Sequence, residues 1–235
     1  MLGRTVGAAA AVVLAAAAPA HAAKIERVSK PGKLSYWAFV DRAEVARAKP
    51  DPKARKVAKL TLRTPEKTDD LVMVLERTEV DDREWLRVRL PVRPNNTTGW
   101  VPADALGELQ PVRTWLKIST KTLKATLIKN GKVVFRAPIG VGQPQWPTPR
   151  GQFYIRAKLK GYGSAGSFYG PLAFITSATS DQLTDWPGGG LVGVHGTSLP
   201  GLIPGKISHG CVRLRNRDIL RLEKLMPVGT PLTIT

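Results

Sequence analysis

Two short segments near the C-terminal end organise this sequence, Val194-His195-Gly196-Thr197 and Ser208-His209-Gly210-Cys211-Val212-Arg213. They contain the chain's only cysteine and two of its three histidines. A thiol is a weak nucleophile until a neighbouring base or a positive field makes it a thiolate, and imidazole is the usual base. A lone cysteine is often only a small buried apolar side chain. Because the thiol and both imidazoles cluster here, the pattern predicts a catalytic cysteine.

The residues around Cys211 fit this interpretation. Gly210 permits a turn that points consecutive amides at one spot, so we expect the N–H groups of Gly210 and Cys211 to form an oxyanion hole. Arg213 adds a fixed positive charge, and its planar guanidinium suits either holding the turn or binding a substrate carboxylate. We expect Ser208 to form local hydrogen bonds, and His209 to shape the turn or bind substrate.

A metal site is the alternative reading of the same residues, because His195, His209 and Cys211 offer three ligands. Their His-x-Cys spacing lacks a usual zinc pattern, and the glycine turn fits an oxyanion hole better. We therefore expect no metal and no other cofactor.

Three ordered motifs resemble the L,D-transpeptidase (YkuD-type) family. His195–Thr197 followed by Ser208–Leu214 is similar to the family's signature, and Pro147–Phe153 (Pro-Thr-Pro-Arg-Gly-Gln-Phe) resembles its Thr-Pro-x-Gly-x-Phe segment. Pro227–Leu232 resembles its closing strand. The likeness covers about residues 113 to 235. Arg150 stands where a small residue is common in the family, so no role is assigned to it.

The resemblance implies an enzyme acting on peptidoglycan stem peptides. Cys211 would attack the third residue of the tetrapeptide and release D-alanine, His195 would be the general base, and a backbone carbonyl near Gly196 would orient the imidazole. Tyr169 matches a family position near the cleft. The products would be 3-3 crosslinks, or wall attached to a lysine-bearing envelope protein, and carbapenem-type compounds would inhibit the enzyme. Two alternatives stay open: an L,D-carboxypeptidase that uses water as acceptor, and a non-catalytic cell-wall-binding protein.

The N-terminal stretch Met1–Ala22 has the pattern of a secretory signal peptide. Arg4 gives a positive start, Val6 to Ala18 is apolar, and Ala20-His21-Ala22 provides a small-x-small cleavage site. This pattern predicts export to a periplasm or cell wall and a soluble protein after cleavage. With one cysteine, the exported chain has no internal disulfide.

The net charge of +18 is distributed unevenly along the 235 residues. Residues 23 to 110 contain 18 Lys and Arg against 14 Asp and Glu, whereas residues 111 to 235 contain 17 against 4. A basic domain favours an anionic partner. Export and the lack of a nucleic-acid-binding signature argue against nucleic acid, so an envelope polymer bearing peptide carboxylates fits better.

The charge asymmetry suggests two domains, both mainly β. The first, residues 23 to 110, is expected to be a small Src-homology-three-like (SH3-like) barrel, because Gly99–Leu106 resembles the last strand and turn of bacterial examples. The other strands predicted there, which alternate with turn-rich pieces, are Val57–Leu62, Leu71–Arg77 and Trp85–Leu90.

The second domain, residues 111 to 235, is expected to be a β-rich catalytic domain with one packed helix. Asn130-Gly131 predicts a type I′ hairpin turn, and a glycine run at 188 to 190 precedes a strand that ends at His195 in a cleft. After Cys211, Asn216 is expected to cap a helix that ends at Pro227. The apolar stripe of this helix is Ile219, Leu222, Leu225 and Met226.

Overall fold

A computed structural model describes residues 24–160, 167–183 and 190–235. Within these ranges the chain forms two β-sheets and one α-helix, which confirms the mainly β fold class. The predicted signal peptide, Met1–Ala22, lies outside the described residues, as do the glycines at 188 and 189. In the part of the chain that is described, no helix is long and apolar enough to cross a membrane.

The first sheet has eight strands in the order β4-β3-β7-β6-β5-β2-β8, with β1 added on β5, and all its pairs are antiparallel. Its core lies on one face of the strands, where side chains such as Leu86 and Val88 of β6 are buried. Its likeness to an SH3-like barrel stays a prediction. The strands are β1 (Glu26–Arg27), β2 (Ser35–Phe39), β3 (Glu44–Arg47), β4 (Lys56–Leu60), β5 (Leu71–Val80), β6 (Arg83–Arg89), β7 (Thr98–Pro102) and β8 (Gln110–Val112), with a 3-10 turn at Ala103–Ala105.

The change from the first sheet to the second occurs slightly later than the sequence suggested. β8 pairs with β2 through Ser35 and Val112, so the first sheet extends past residue 110. The second sheet begins at Thr114. The change of sheet therefore falls at Arg113, while the division of the chain into two domains stays a prediction.

The second sheet has ten strands in the order β11-β10-β9-β18-β13-β14-β15-β17-β12-β16. Its core includes Leu116, Phe135, Phe174 and Leu222, all buried. The strands are β9 (Thr114–Ser119), β10 (Lys124–Lys129), β11 (Lys132–Pro138), β12 (Gly140–Gly142), β13 (Gly151–Lys160), β14 (Leu172–Thr179), β15 (Leu191–His195), β16 (Gly205–Ser208), β17 (Val212–Arg213) and β18 (Pro231–Ile234), with a 3-10 turn at Pro200–Leu202.

The hairpin between β10 and β11 forms as predicted. Asn130 has φ 51° and Gly131 has φ 77°, so both central residues are left-handed, as a type I′ turn requires. Lys129 and Lys132 pair directly across this turn. The Asn-Gly pair is favoured here because these residues adopt positive φ at low cost.

The helix α1 (Asn216–Glu223) is shorter than expected and is capped differently. Arg215 occupies the N-cap position without a side-chain hydrogen bond, and Asn216 is the first helical residue. The predicted cap was wrong because the Asn216 amide oxygen accepts a hydrogen bond from Thr197 N–H instead, at 2.9 Å. The helix ends at Glu223, yet Met226 in the following turn is still buried in the core.

Direct contacts join the two sheets. Arg156 of β13 forms a two-pronged ion pair with Asp70 at 2.7 and 2.6 Å, and both side chains are buried. Beside it the Tyr154 hydroxyl donates to the carbonyl of Leu71 at 3.1 Å, and Tyr154 packs with Leu71 and Met73. Breaking a buried ion pair by removing one partner is costly, so this contact helps to hold the two sheets against each other.

Candidate active site

Two neighbouring parallel strands bring the two sequence segments together. β15 and β17 pair with Val194 opposite Val212 and His195 opposite Arg213. The Leu214 N–H then donates to the His195 carbonyl at 2.8 Å and extends the pairing by one residue. His195 therefore lies at the end of its strand, as predicted, and lines the same cleft as Cys211.

The Cys211 thiol is half-buried at this cleft and accepts a hydrogen bond from the backbone. Gly193 N–H points at Sγ, with 3.4 Å between nitrogen and sulfur. Burial raises the pKa of Cys211, while the Gly193 N–H and the charge of Arg213 act in the opposite direction. The thiol is thus protonated at rest, with one N–H in place to stabilise the thiolate when it forms.

His195 is held as a neutral imidazole in one tautomer. Its Nδ1 lies 2.6 Å from the Gly196 carbonyl, and a carbonyl only accepts, so Nδ1 carries the proton. Burial lowers the pKa of His195 to about 4, against the hydrogen bond to the Gly196 carbonyl, which acts in the opposite direction. Nε2 is buried and has no hydrogen-bond partner among the described residues. This nitrogen keeps its lone pair, so His195 has the form that a general base needs.

The other wall of the cleft is aromatic and cationic. The ring of Tyr169 meets the His195 ring nearly edge-on, with centroids 5.0 Å apart. The Arg213 guanidinium stacks over the Phe168 ring at 4.2 Å. Arg213 is only 4% exposed, and burial lowers its pKa. Its Nε has no hydrogen-bond partner within the described ranges, so a buried donor is available for an anionic group.

Ser208 closes the turn that carries Cys211. Its hydroxyl donates to the Cys211 carbonyl at 2.6 Å and accepts the Gly210 N–H at 3.2 Å. This fits the local role expected for Ser208. The Gly210 N–H, one of the two predicted oxyanion donors, is thus directed at Ser208 in this structure, and its role in an oxyanion hole stays a prediction. The Cys211 N–H, the other predicted oxyanion donor, does not donate to the Ser208 hydroxyl.

Thr148 is a supporting residue that the sequence reasoning missed. Its buried hydroxyl donates to the Gly210 carbonyl at 2.8 Å and accepts Gly142 N–H at 2.8 Å. It therefore ties β12 to the residue before the cysteine. The signal was present, because Thr148 belongs to the Pro-Thr-Pro-Arg-Gly segment, but only the fold places that segment under the turn.

Asn216 and two glycines hold the backbone after His195. The Asn216 amide oxygen accepts Thr197 N–H at 2.9 Å. A Cβ on Gly196 or on Gly170 would lie 2.5 Å from that oxygen, so both positions need glycine. Gly170 also has φ +65°, which glycine adopts without strain. This packing fixes the Gly196 carbonyl that orients His195.

His209 lies at the rim of the cleft, where its ring packs against Trp146 with centroids 4.2 Å apart. Its predicted role in shaping the turn or binding substrate stays a prediction. The described residues contain no group of three or more His, Cys, Asp and Glu side chains that could hold a metal ion. The three-ligand alternative of His195, His209 and Cys211 is therefore not assembled.

Comparisons of the sequence with known proteins find L,D-transpeptidases. YkuD of Bacillus subtilis is 34% identical over 124 residues, which cover 53% of this chain and 66% of that protein. YbiS of Escherichia coli K12 is 33% identical, over 43% of this chain and 38% of that protein. A solved L,D-transpeptidase of Enterococcus faecium matches with TM-score 0.40 and 25% identity, over 52% of this chain and 49% of that one. The chain thus spans just under two-thirds, or less, of these relatives. A sequence model of the L,D-transpeptidase catalytic domain matches residues 113–234, more than half of the chain, and the chain therefore belongs to the YkuD family of L,D-transpeptidase catalytic domains.

Proposed function

We propose that this chain is an exported peptidoglycan L,D-transpeptidase that works through an acyl-enzyme on Cys211. The proposal rests on the arrangement of the Cys211 thiol and the His195 imidazole within the cleft. A thiol accepts a backbone N–H from Gly193, and a neutral, buried imidazole with a free Nε2 lone pair lines the same cleft. This combination supplies a nucleophile, a base and a group that stabilises the thiolate.

During acylation the proton of the Cys211 thiol moves to His195 Nε2 while the new bond to sulfur forms. Sγ attacks the carbonyl carbon of the third stem residue, and an S–C bond forms. The tetrahedral intermediate collapses by breaking the C–N bond to D-alanine, and His195 returns the proton to the leaving amine. The products are a thioester on Cys211 and free D-alanine, and His195 is again neutral.

His195 suits both halves of this proton transfer because it is neutral at rest. Its low pKa makes the resting imidazole a weak base, so the proton leaves the thiol as the S–C bond forms and not beforehand. The resulting imidazolium is a strong acid in this buried site and readily protonates the leaving amine. The Nδ1–H bond to Gly196 keeps the ring oriented throughout.

Deacylation decides the product. An amine of a second stem attacks the thioester carbonyl, an N–C bond replaces the S–C bond, and the amine proton returns to Cys211 through His195. This gives a 3-3 crosslink, whereas a protein lysine as acceptor would attach that protein to the wall. Water as acceptor would give a carboxypeptidase. The charge of residues 111–235 favours an anionic polymer as partner in all three cases.

Arg213 is the proposed contact for a substrate carboxylate. Its Nε is buried without a partner among the residues described, and the guanidinium is held over Phe168 in the cleft that contains Cys211. A carboxylate beside it would satisfy this donor and offset its desolvation. Tyr169 would pack against the bound peptide, next to His195.

The direct test is mass spectrometry of the purified protein with disaccharide-tetrapeptide, beside Cys211→Ala. Loss of D-alanine with a crosslinked dimer, absent from the variant, is the expected result. Tripeptide alone would identify the carboxypeptidase. If no Cys211-dependent product and no acyl adduct form, the proposal of an enzyme is refuted and a non-catalytic wall-binding protein is favoured. A carbapenem should add its intact mass to wild type only, because acylation needs the thiol.

Export is tested separately from chemistry. We expect the protein to leave the cytoplasm in a bacterial host and to begin after Ala22, since Ala20-His21-Ala22 fits a cleavage site. N-terminal sequencing of protein from the envelope fraction measures this. Full-length protein retained in the cytoplasm would contradict the export proposal and leave the reaction untouched.

A further inference from the structure

A loop of the first domain makes close contacts with the strand beside the catalytic strand. This loop connects β6 to β7 and contains Arg93, Asn95 and Asn96. All three side chains form hydrogen bonds with the backbone of the second domain. Asn96 bonds to β13, Asn95 bonds to β14, and Arg93 bonds to Ser180 just after β14. The contacts therefore join the first domain to β13 and to the end of β14, the strand that pairs with β15.

Asn95 makes three hydrogen bonds to a single residue, Thr179, which is the last residue of β14. The Asn95 amide nitrogen donates to the Thr179 carbonyl at 2.7 Å. The Asn95 amide oxygen accepts the Thr179 N–H at 3.0 Å and its hydroxyl at 3.2 Å. One side chain thus satisfies both backbone groups of Thr179, as a neighbouring strand would.

Thr179 in turn is paired to the strand that carries the catalytic groups. Thr179 lies opposite Leu191, the first residue of β15. Ser180 N–H donates to the Gly190 carbonyl at 2.8 Å, and Arg93 donates to the Ser180 carbonyl at 2.7 Å. Gly190 and Leu191 line the cleft together with Cys211. The start of β15 is therefore held from the outside by two side chains of the first domain.

The position of β15 matters because Gly193 lies only two residues after Leu191. Its N–H is the group that bonds to Cys211 Sγ, at 3.4 Å between nitrogen and sulfur, so a displacement of β15 at this point would lengthen that bond. The pairing of β14 with β15 has a register shift between Ile175 and Thr179. The hydrogen bonds between the two strands therefore constrain the start of β15 less than its middle.

We propose that Asn95 is a positioning residue of the active site, which sets the start of β15 and through it the Gly193 N–H that stabilises the Cys211 thiolate. The first domain is by this inference part of the catalytic machinery and not only an appended module. The inference rests on the proposed role of Cys211 as nucleophile.

The test is the rate at which iodoacetamide alkylates Cys211 in the full protein, measured as a function of pH. We expect Asn95→Ala to slow alkylation at neutral pH about fivefold and to raise the apparent pKa of the thiol, because the thiolate loses its N–H donor. The other titratable groups that line the cleft, His195, Tyr169, His209 and Arg213, are unchanged in this variant.

Asn96→Ala is the matched control. Asn96 lies in the same loop and accepts the Gln152 N–H at 2.6 Å, so its loss also removes a contact between the domains, but this contact leads to β13 and not to β15. It should lower the thermal midpoint as Asn95→Ala does, yet leave the alkylation rate within about twofold of wild type. Arg93→Gln acts on the same strand end through Ser180 and should slow alkylation in the same direction.

Equal alkylation rates in wild type, Asn95→Ala and Asn96→Ala would overturn the inference, as would faster alkylation in Asn95→Ala. If Asn95→Ala does not fold, equal rates in Arg93→Gln and wild type overturn it in the same way. The proposed function fails by a different result, namely wild type that leaves disaccharide-tetrapeptide unchanged. Because alkylation needs no peptide substrate, the two failures are distinguishable.

Discussion

Burial of His195 should make the stability of this protein depend on pH in a way that one substitution removes. The imidazole is 1% exposed, and burial lowers its pKa from 6.5 to about 4. The unfolded chain therefore binds a proton at higher pH than the folded chain does. By linkage, the contribution to stability is complete above pH 6.5, falls as the pH drops below that value, and is lost at pH 4.

The magnitude follows from the two pKa values. Relative to neutral pH, the free energy of unfolding should fall by about 2 kcal/mol at pH 5 and by about 3 kcal/mol at pH 4 from His195 alone. Asn is the matched substitution, because its amide keeps a donor for the Gly196 carbonyl and does not titrate. His195→Asn should therefore lack this component of the pH dependence, whatever its stability at neutral pH.

The assay is urea unfolding of wild type and His195→Asn between pH 7.5 and 4.5, followed by tryptophan fluorescence. All other titratable groups are the same in the two proteins, so their effects cancel in the difference between the two curves. Wild type should lose about 2 kcal/mol more than the variant by pH 5. Parallel curves would refute the reasoning and mean that the folded protein accommodates an imidazolium at this position.

Three further predictions concern the thiol, the domain interface and the turn. The Cys211 thiol should alkylate more slowly at pH 7 than a free cysteine peptide, and its rate should keep rising above pH 9, because burial raises its pKa; a plateau below pH 8 would contradict this. Asp70→Asn should lower the free energy of unfolding in urea by about 3–5 kcal/mol, because it leaves Arg156 buried without a counter-charge. The control is Asp69→Asn, which breaks an exposed ion pair and should cost under about 1 kcal/mol. Equal losses in the two variants would show that the buried pair is dispensable. Thr148→Val should slow acylation of Cys211 by disturbing the turn, at about 1–3 kcal/mol of destabilisation, and Thr148→Ser should restore both; a fully active valine variant would remove Thr148 from the site.

Local patterns in the sequence were enough for the elements that depend on local physics. The Asn130-Gly131 turn formed as predicted because positive φ is a property of the two residues themselves. The strand ending at His195 was also predicted correctly, and the mainly β class follows from the rhythm of strands and turns. Several short strands were missed, among them β16 and β17. They are stabilised by pairing with segments distant in the sequence, and their own composition does not indicate a strand.

Asn216 shows where local reasoning fails. An asparagine before an apolar helical stripe predicts an N-cap, and the helix does begin there. The side chain instead serves Thr197, nineteen residues earlier in the chain, because the fold brings the turn after His195 against the start of α1. The hydrogen bond from the Gly210 N–H to the Ser208 hydroxyl is likewise a contact that no local pattern predicted.

The sequence by itself determined which side chains are the candidates for catalysis, because one thiol and its neighbouring imidazoles leave few alternatives and their motifs resemble a known family. It also determined the strand content and the hairpin, which depend on nearby residues. Only the tertiary structure decided the state of these groups: the parallel pairing of β15 and β17, the burial that keeps His195 neutral, the Gly193 N–H at the sulfur, and the contacts of Thr148 and Asn95. The reason is physical, since pKa values and donor positions depend on which distant segments exclude water from a site, and no local pattern contains that information.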